Sequence, residues 1–120
     1  MQIRAKINLV DPQGRPFMGP GVLQLLEQIR EQRSINRAAQ QMKLSYVKAL
    51  NLLNRLESDL GRRILVRRRG GNNRGGTRLT PFGEKYIAEY SRLEERVRAR
   101  VEREFVIFLD RVAATGKKEP

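Results

Sequence analysis

SINRAAQQMKLSYVKALNLLNRLESDLG, from Ser34 to Gly61, is the stretch that decides how this chain folds. Ser34 suits an N-cap, because its hydroxyl accepts from a free N–H of the turn that follows. Behind it, Ile35, Ala38, Ala39 and Met42 share one face of a helix of about two turns. Lys43-Leu44 leaves only a tight connection. Ser45 then caps a third helix that runs to about Leu60, and Gly61 stops it. Two helices joined by three or four residues, the first short and Ala-rich, outline a helix-turn-helix. Ala38 and Ala39 have a physical use there, since small side chains let the short helix approach its successor closely. An ordinary small helical bundle has the same outline, so these helices alone leave two readings level.

The residues downstream separate the two readings. Ile64-Leu65-Val66 is a short β-prone run. Arg67-Arg68-Arg69-Gly70-Gly71-Asn72-Asn73-Arg74-Gly75-Gly76 reads as a basic, glycine-rich loop, and Thr77-Arg78-Leu79-Thr80 as a return strand. Strand, basic loop and strand directly after a helix-turn-helix describe a wing. Seven arginines and no acid stand between Arg62 and Arg78, the imbalance that a loop following a phosphate backbone requires. Gly70-x-x-x-x-Gly75-Gly76-Thr77 imitates a phosphate-binding loop. Gly stands where the phosphate-reaching Lys is required and no helix follows directly, which rules out nucleotide hydrolysis there.

Upstream, Ile3-Arg4-Ala5-Lys6-Ile7-Asn8-Leu9 alternates apolar and polar, the period of a half-buried strand. Asp11-Pro12-Gln13-Gly14 suits a type I turn. A short return strand is expected over Arg15–Met18, with Pro16 marking it as an edge. Gly19-Pro20-Gly21 opens a helix whose apolar face is Val22, Leu25, Leu26 and Ile29, ending near Gln32 or Arg33.

At the other end, Thr80 caps a long helix with Pro81 in its first position. Its stripe is Tyr90, Leu93, Val97, Val101, Phe105, Phe108 and Val112. That is 22 residues over six turns, or about 3.67 per turn, near an eleven-residue repeat, so the helix is expected to stay nearly straight against a partner. Arg and Glu alternate on its other faces, and pairs such as Glu94 with Arg98 add weak support. Glu94, Glu95, Glu102 and Glu104 are therefore read as solvated ion-pairing groups, not a carboxylate cluster. The single domain is too small to cover such a stripe, which points to a second chain.

Composition bounds the chemistry. The chain has 120 residues and a net charge of +12, which attracts polyanions: DNA, RNA or an anionic membrane. It contains neither cysteine nor histidine. Disulfides and thiolate metal sites are excluded, and the commonest general base and metal ligand are missing. No apolar run approaches the ~20 residues of a membrane span, and no signal peptide is visible.

On these residues the sequence resembles the LysR-type DNA-binding domains. Ala38-Ala39, Leu44-Ser45, Leu56-Glu57-x-x-Leu60-Gly61, Ile64-Leu65-Val66-Arg67 and Leu79-Thr80-x-x-Gly83 stand at that family's spacings. It also resembles the N-terminal domain of the molybdate-responsive ModE family, in Gly19-Pro20-Gly21, Ser45-Tyr46, Ile64-Leu65-Val66, the Gly-Gly-x-x-x-Gly-Gly wing and the N-terminal hairpin. The resemblance covers about residues 3 to 110. It implies a winged helix-turn-helix and a homodimer paired through N- and C-terminal helices on a roughly palindromic operator. ModE proteins carry oxyanion-binding domains after this one. The chain ends at Pro120, so no molybdate binding is expected from it alone, and it is either a stand-alone homologue or a fragment.

The expected fold is mainly α with small β. Residues 1–80 form a winged helix-turn-helix with an N-terminal hairpin, 81–114 a dimerisation helix and 115–120 a disordered tail. In the third helix Ala49, Leu53, Leu56 and Leu60 should face the core, and Tyr46, Val47, Lys48, Asn51, Asn54 and Arg55 the outside. Tyr46, Lys48 and Asn51 are the residues expected in the major groove, with Ser45 and Val47 also among the DNA contacts and Arg55 further back on phosphate. Ser34, Asn36 and Arg37 add phosphate contacts at the second helix. In the wing, Arg68, Arg69, Arg74 and Arg78 are candidates to enter a narrow minor groove and Asn72 and Asn73 to reach phosphates or make the turn; Arg67 is the weakest candidate, since it could instead hold an acid such as Glu57. The dimer interface is expected at Val22, Leu26, Tyr90, Leu93, Val97, Val101, Phe105, Phe108 and Val112. Together these predict a cytoplasmic, nucleoid-associated, sequence-specific DNA-binding transcription regulator without cofactor, metal or enzymatic activity. An RNA-binding or non-specific nucleoid-type protein is the alternative, and an oxyanion sensor or enzyme a third.

Overall fold

The computed structural model describes residues 1–68 and 76–116. Two short hairpins and four helices follow one another as β1 (Leu9–Val10), β2 (Pro16–Met18), α1 (Pro20–Gln32), α2 (Ile35–Gln41), α3 (Tyr46–Leu60), β3 (Leu65–Arg68), β4 (Gly76–Leu79) and α4 (Pro81–Gly116).

The helix boundaries are set by caps. Ser34 Oγ accepts from Arg37 N–H and Ser45 Oγ from Lys48 N–H, satisfying donors at the starts of α2 and α3. Gly61, at φ 66°, ends α3 in the left-handed region that a side chain disfavours. Arg33 ends α1 in that same region at φ 56°, and Lys43 crosses the α2–α3 turn at φ 58°. Thr80 Oγ1 accepts from Gly83 N–H at the head of α4. The helix runs two residues past the expected 114, and 117–120 of the expected tail lie outside the described residues.

The core forms where α1, α2 and α3 meet. Leu25, Leu26, Ile29, Ala38, Ala39, Ala49, Leu53 and Leu56 are all buried there. Leu60, expected with them, is partly buried at the cluster's edge. The β3–β4 ladder closes one side: Leu65 pairs with Leu79 and faces the core, whereas Val66 and its partner Arg78 are exposed. Thr77 N–H donates to Arg33 O, hanging β4 on the end of α1. The head of α4 packs against the strand entry. A Cβ on Gly83 would stand 2.6 Å from Ile64 O, so only glycine permits this approach. Arg30 on α1 pairs with Glu84 on α4 at 2.8 Å.

Three expectations need correction. The strand over Ile3–Leu9 shrinks to Leu9–Val10, because β2 offers only three residues to pair with. The alternation persists without a ladder: Ala5, Ile7 and Leu9 are the partly covered positions. This segment lies along α4, where Tyr90 Oη donates to Ile7 O at 2.6 Å. Secondly, Leu26 and Tyr90, expected at a dimer interface, are 0% and 3% exposed within the single chain, so neither has surface for a partner. The upper end of the stripe is covered by this chain's own domain and N-terminal segment, and there Glu94, expected in solvent, is buried while Leu93 is exposed. Thirdly, Glu57 is not held by Arg67. Its Oε2 accepts from Ile64 N–H at 2.8 Å and Leu65 N–H at 3.1 Å, and Arg63 stands 3.9 Å away.

Candidate nucleic-acid interface

The helix-turn-helix turns one face of α3 to the core and the other outward. Ala49, Leu53 and Leu56 are buried, while Lys48, Asn51 and Asn54 are exposed. Tyr46 and Val47 are 44% and 64% exposed. Aromatic and branched apolar side chains left open at a helix start depart from the usual burial of their type. Among the described residues, no hydrogen bond or ion pair occupies the side chains of Tyr46, Lys48 or Asn51. The serine hydroxyl of Ser45, by contrast, is spent on its cap.

Alongside stands the wing. Arg67 Nη2 reaches Asn54 Oδ1 at 3.5 Å, which brings the β3 end beside the outward face of α3. Arg78 is exposed opposite Val66. The expected contacts Arg69, Asn72, Asn73 and Arg74 lie outside the described residues, as does the side chain of Arg68. Asn36 and Arg37 are exposed at the start of α2, and Ser34 Oγ is engaged by Arg37 N–H. Arg62 stacks over the Phe82 ring, 4.0 Å from its centroid, a cation–π contact.

Arg55 is the expected contact that the structure engages elsewhere. Its Nη2 donates to Asp11 Oδ2 at 3.2 Å and its Nε lies 3.5 Å from Asp59 Oδ2. Sequence reasoning missed Asp11, because the two residues are 44 positions apart and no local pattern joins them. Burial lifts the Tyr86 and Tyr90 hydroxyls to about 12; a nearby Glu94 carboxylate adds to the shift at Tyr90. Both phenols stay protonated and structural at neutral pH. Among the described residues, no cluster of acidic side chains could hold a metal ion. No helix there is long and apolar enough to cross a membrane.

Far from α3, α4 leaves the domain behind. Val106, Ile107, Phe108 and Val112 are exposed along its outer part. A shallow cleft of about 460 Å³ runs there, lined by Ile3, Arg100, Val101, Glu104, Phe105 and Phe108.

Comparison with known proteins agrees with this architecture. The chain is 38% identical over 78 residues to the transcriptional regulator ModE of Haemophilus influenzae, a match covering 65% of this chain and 31% of that protein. It is 36% identical over 81 residues to the molybdenum transport protein ModE of Azotobacter vinelandii, covering 68% of this chain and 30% of that one. It thus spans about a third of the length of these relatives. Among solved structures, a BenM_DBD/benA site 1 DNA complex aligns with a TM-score of 0.53 at 22% identity, covering 75% of this chain and 96% of that one. That likeness shows the fold. Residues 21–84, from the start of α1 through the wing to the head of α4, match the family described as bacterial regulatory helix-turn-helix protein, lysR family. The capped α2–α3 pair and its hairpin are accordingly those of a lysR-family helix-turn-helix protein, and the chain belongs to that family.

Proposed function

We propose that this chain is a sequence-specific DNA-binding regulator of transcription, acting in the cytoplasm as a homodimer. In this reading α3 enters a major groove and the β3–β4 hairpin rests on the adjacent groove. One observation carries the reading. The first turns of α3 present Tyr46, Val47, Lys48 and Asn51 outward, without intramolecular partners among the described residues, beside a hairpin rich in arginine. Early-helix residues reach deepest into the groove in this geometry. Lys48 donates to guanine O6 or N7, and Asn51 pairs bidentately with adenine. Asn36, Arg37 and Arg78 contact phosphates and fix the register. The lysR-family membership and the fold shared with a domain captured on DNA support the assignment. The exposed apolar turns of outer α4 support the homodimer, which places two recognition helices about 34 Å apart, one turn of DNA.

Selection of bound sites from random duplexes tests specificity, symmetry and half-site spacing together. Binding to the selected duplex is then followed against salt. Lys48→Ala and Asn51→Ala are expected to change base preference about tenfold at one position of each half-site. Arg78→Ala weakens all sequences alike and lowers the salt slope by about one. Equal losses on every sequence from both sets overturn this division of roles. Failure to enrich any duplex, or tighter binding of a structured RNA in competition, overturns the function.

A further inference from the structure

We infer that Asp11, in the turn of the N-terminal hairpin, is a positioning residue for α3: it holds Arg55 and withholds that arginine from the DNA backbone. The second half of this statement rests on the DNA-binding reading; the first half does not.

Arg55 follows Lys48 by seven residues and Asn51 by four, on the same face of α3. Unengaged, its guanidinium would extend the cationic surface by one turn. Instead it is bound from two sides, by Asp11 Oδ2 at 3.2 Å and Asp59 Oδ2 at 3.5 Å. Asp11 is no ordinary surface acid, since its side chain is only 8% exposed. Its Oδ1 accepts from Gln13 N–H and Arg15 N–H, both at 2.9 Å. The hairpin turn thereby fixes the carboxylate and aims Oδ2 at α3, where Arg15 Nε also approaches to 3.4 Å. Loose surface pairs contribute little because both side chains must be immobilised. Here the acid is already immobile, and a charge-assisted bond to a preset acceptor is the stronger kind. Two arginines and two aspartates make the cluster neutral as a whole, so a phosphate brought to Arg55 meets two carboxylates beside it. The N-terminal hairpin therefore acts as a strut on the rear half of α3, and the residues from Tyr46 to Asn51 do the reading.

The test compares the wild-type chain with Arg55→Met, Asp11→Asn, Asp59→Asn and their combinations. Asn at 11 retains an acceptor for the turn, which protects the hairpin itself. Melting without DNA comes first. Asp11→Asn and Arg55→Met are each expected to lower the melting temperature, and the double variant no further than the larger single change. Binding to the selected duplex across salt comes second. Arg55→Met leaves the slope of log affinity against log salt unchanged, whereas Asp11→Asn with Asp59→Asn frees Arg55 and steepens the slope by about one. A purely structural role moves stability and leaves that slope alone. Additive melting changes overturn the strut. A slope lowered by about one in Arg55→Met, or left flat when both acids are neutralised, overturns the withholding of Arg55. If the wild-type chain binds no duplex at all, the proposed function falls, while the melting comparison still decides whether Asp11 holds α3.

Discussion

Asp11 keeps its charge although its side chain is almost covered. The N–H of Arg15 is the largest influence lowering its carboxyl below the ordinary 3.8; burial pushes the other way, and Gln13 N–H and the Arg15 and Arg55 guanidiniums add to the lowering. The groups facing it are thus Arg15, Arg55 and, behind Arg55, Asp59. A carboxyl whose folded value lies below its unfolded one stabilises the fold at every pH above the unfolded value. That contribution is lost as pH falls through the lowered folded value. Melting temperature measured from pH 7 downward is therefore expected to drop below about pH 4, and Asp11→Asn to make that acid limb shallower. An acid limb identical in the variant would count against the charge of Asp11 as its source. Glu57 and Gly83 show the same economy of single residues. One ties the end of α3 to the first N–H groups of β3, and the other lets α4 start against Ile64 O.

At the scale of elements, the segment ahead of β1 has, among the described residues, one polar tie to α4, from Tyr90 Oη to Ile7 O. Tyr90→Phe keeps the ring in the core and removes that bond, a change of about 1 kcal/mol. The expected result is faster tryptic cleavage after the exposed Arg4 and Lys6, with little change in the melting of the helical core. Cleavage at the wild-type rate would show that apolar packing alone holds the segment. What was legible in the sequence follows from how local each signal is. Helices α1 to α3 were readable because Ser34, Ser45 and Gly61 act on their own neighbours, and the hairpins because turn residues and alternation lie side by side. The length of the first strand was not, since alternation reports which side of a chain is covered and not whether hydrogen-bonded pairing accompanies it. On α4 the stripe took in Leu93 where Glu94 is the covered residue, and Tyr90, like Leu26 on α1, was given to the wrong partner, because periodicity does not say which chain supplies the cover. The tie from Asp11 to Arg55 joins elements far apart in the chain and left no local trace.

The molecule measures 75 × 28 × 24 Å, and its length comes from α4. Thirty-six residues of helix extend about 54 Å at 1.5 Å per residue. The inner part is anchored through Ile87, Tyr90 and Glu94, all buried, and beyond Glu94 no described residue is buried. Apolar residues on several sides of one stretch, Phe105 to Phe108, are the mark of a helix that others surround. Phe108→Glu places a charge in that stretch without touching the domain core. Sedimentation equilibrium at micromolar concentration is expected to give twice the 13.9 kDa chain mass for the wild type and a value near one chain mass for the variant, with a melting temperature of the domain little altered. A wild-type chain that sediments as a monomer would end the homodimer proposal.

The anchored base and outlying apolar end of α4 also make it a lever. In a pair joined near its outer end, a bend of only about 5° along some 54 Å displaces the attached domain by about 5 Å, more than the ~3.4 Å rise of one base pair. The distance between the two sequences such a pair can grip at once is then set by the stiffness of a helix that touches neither of them. Substitutions in its middle turns would retune operator spacing while leaving each half-site's sequence as it was.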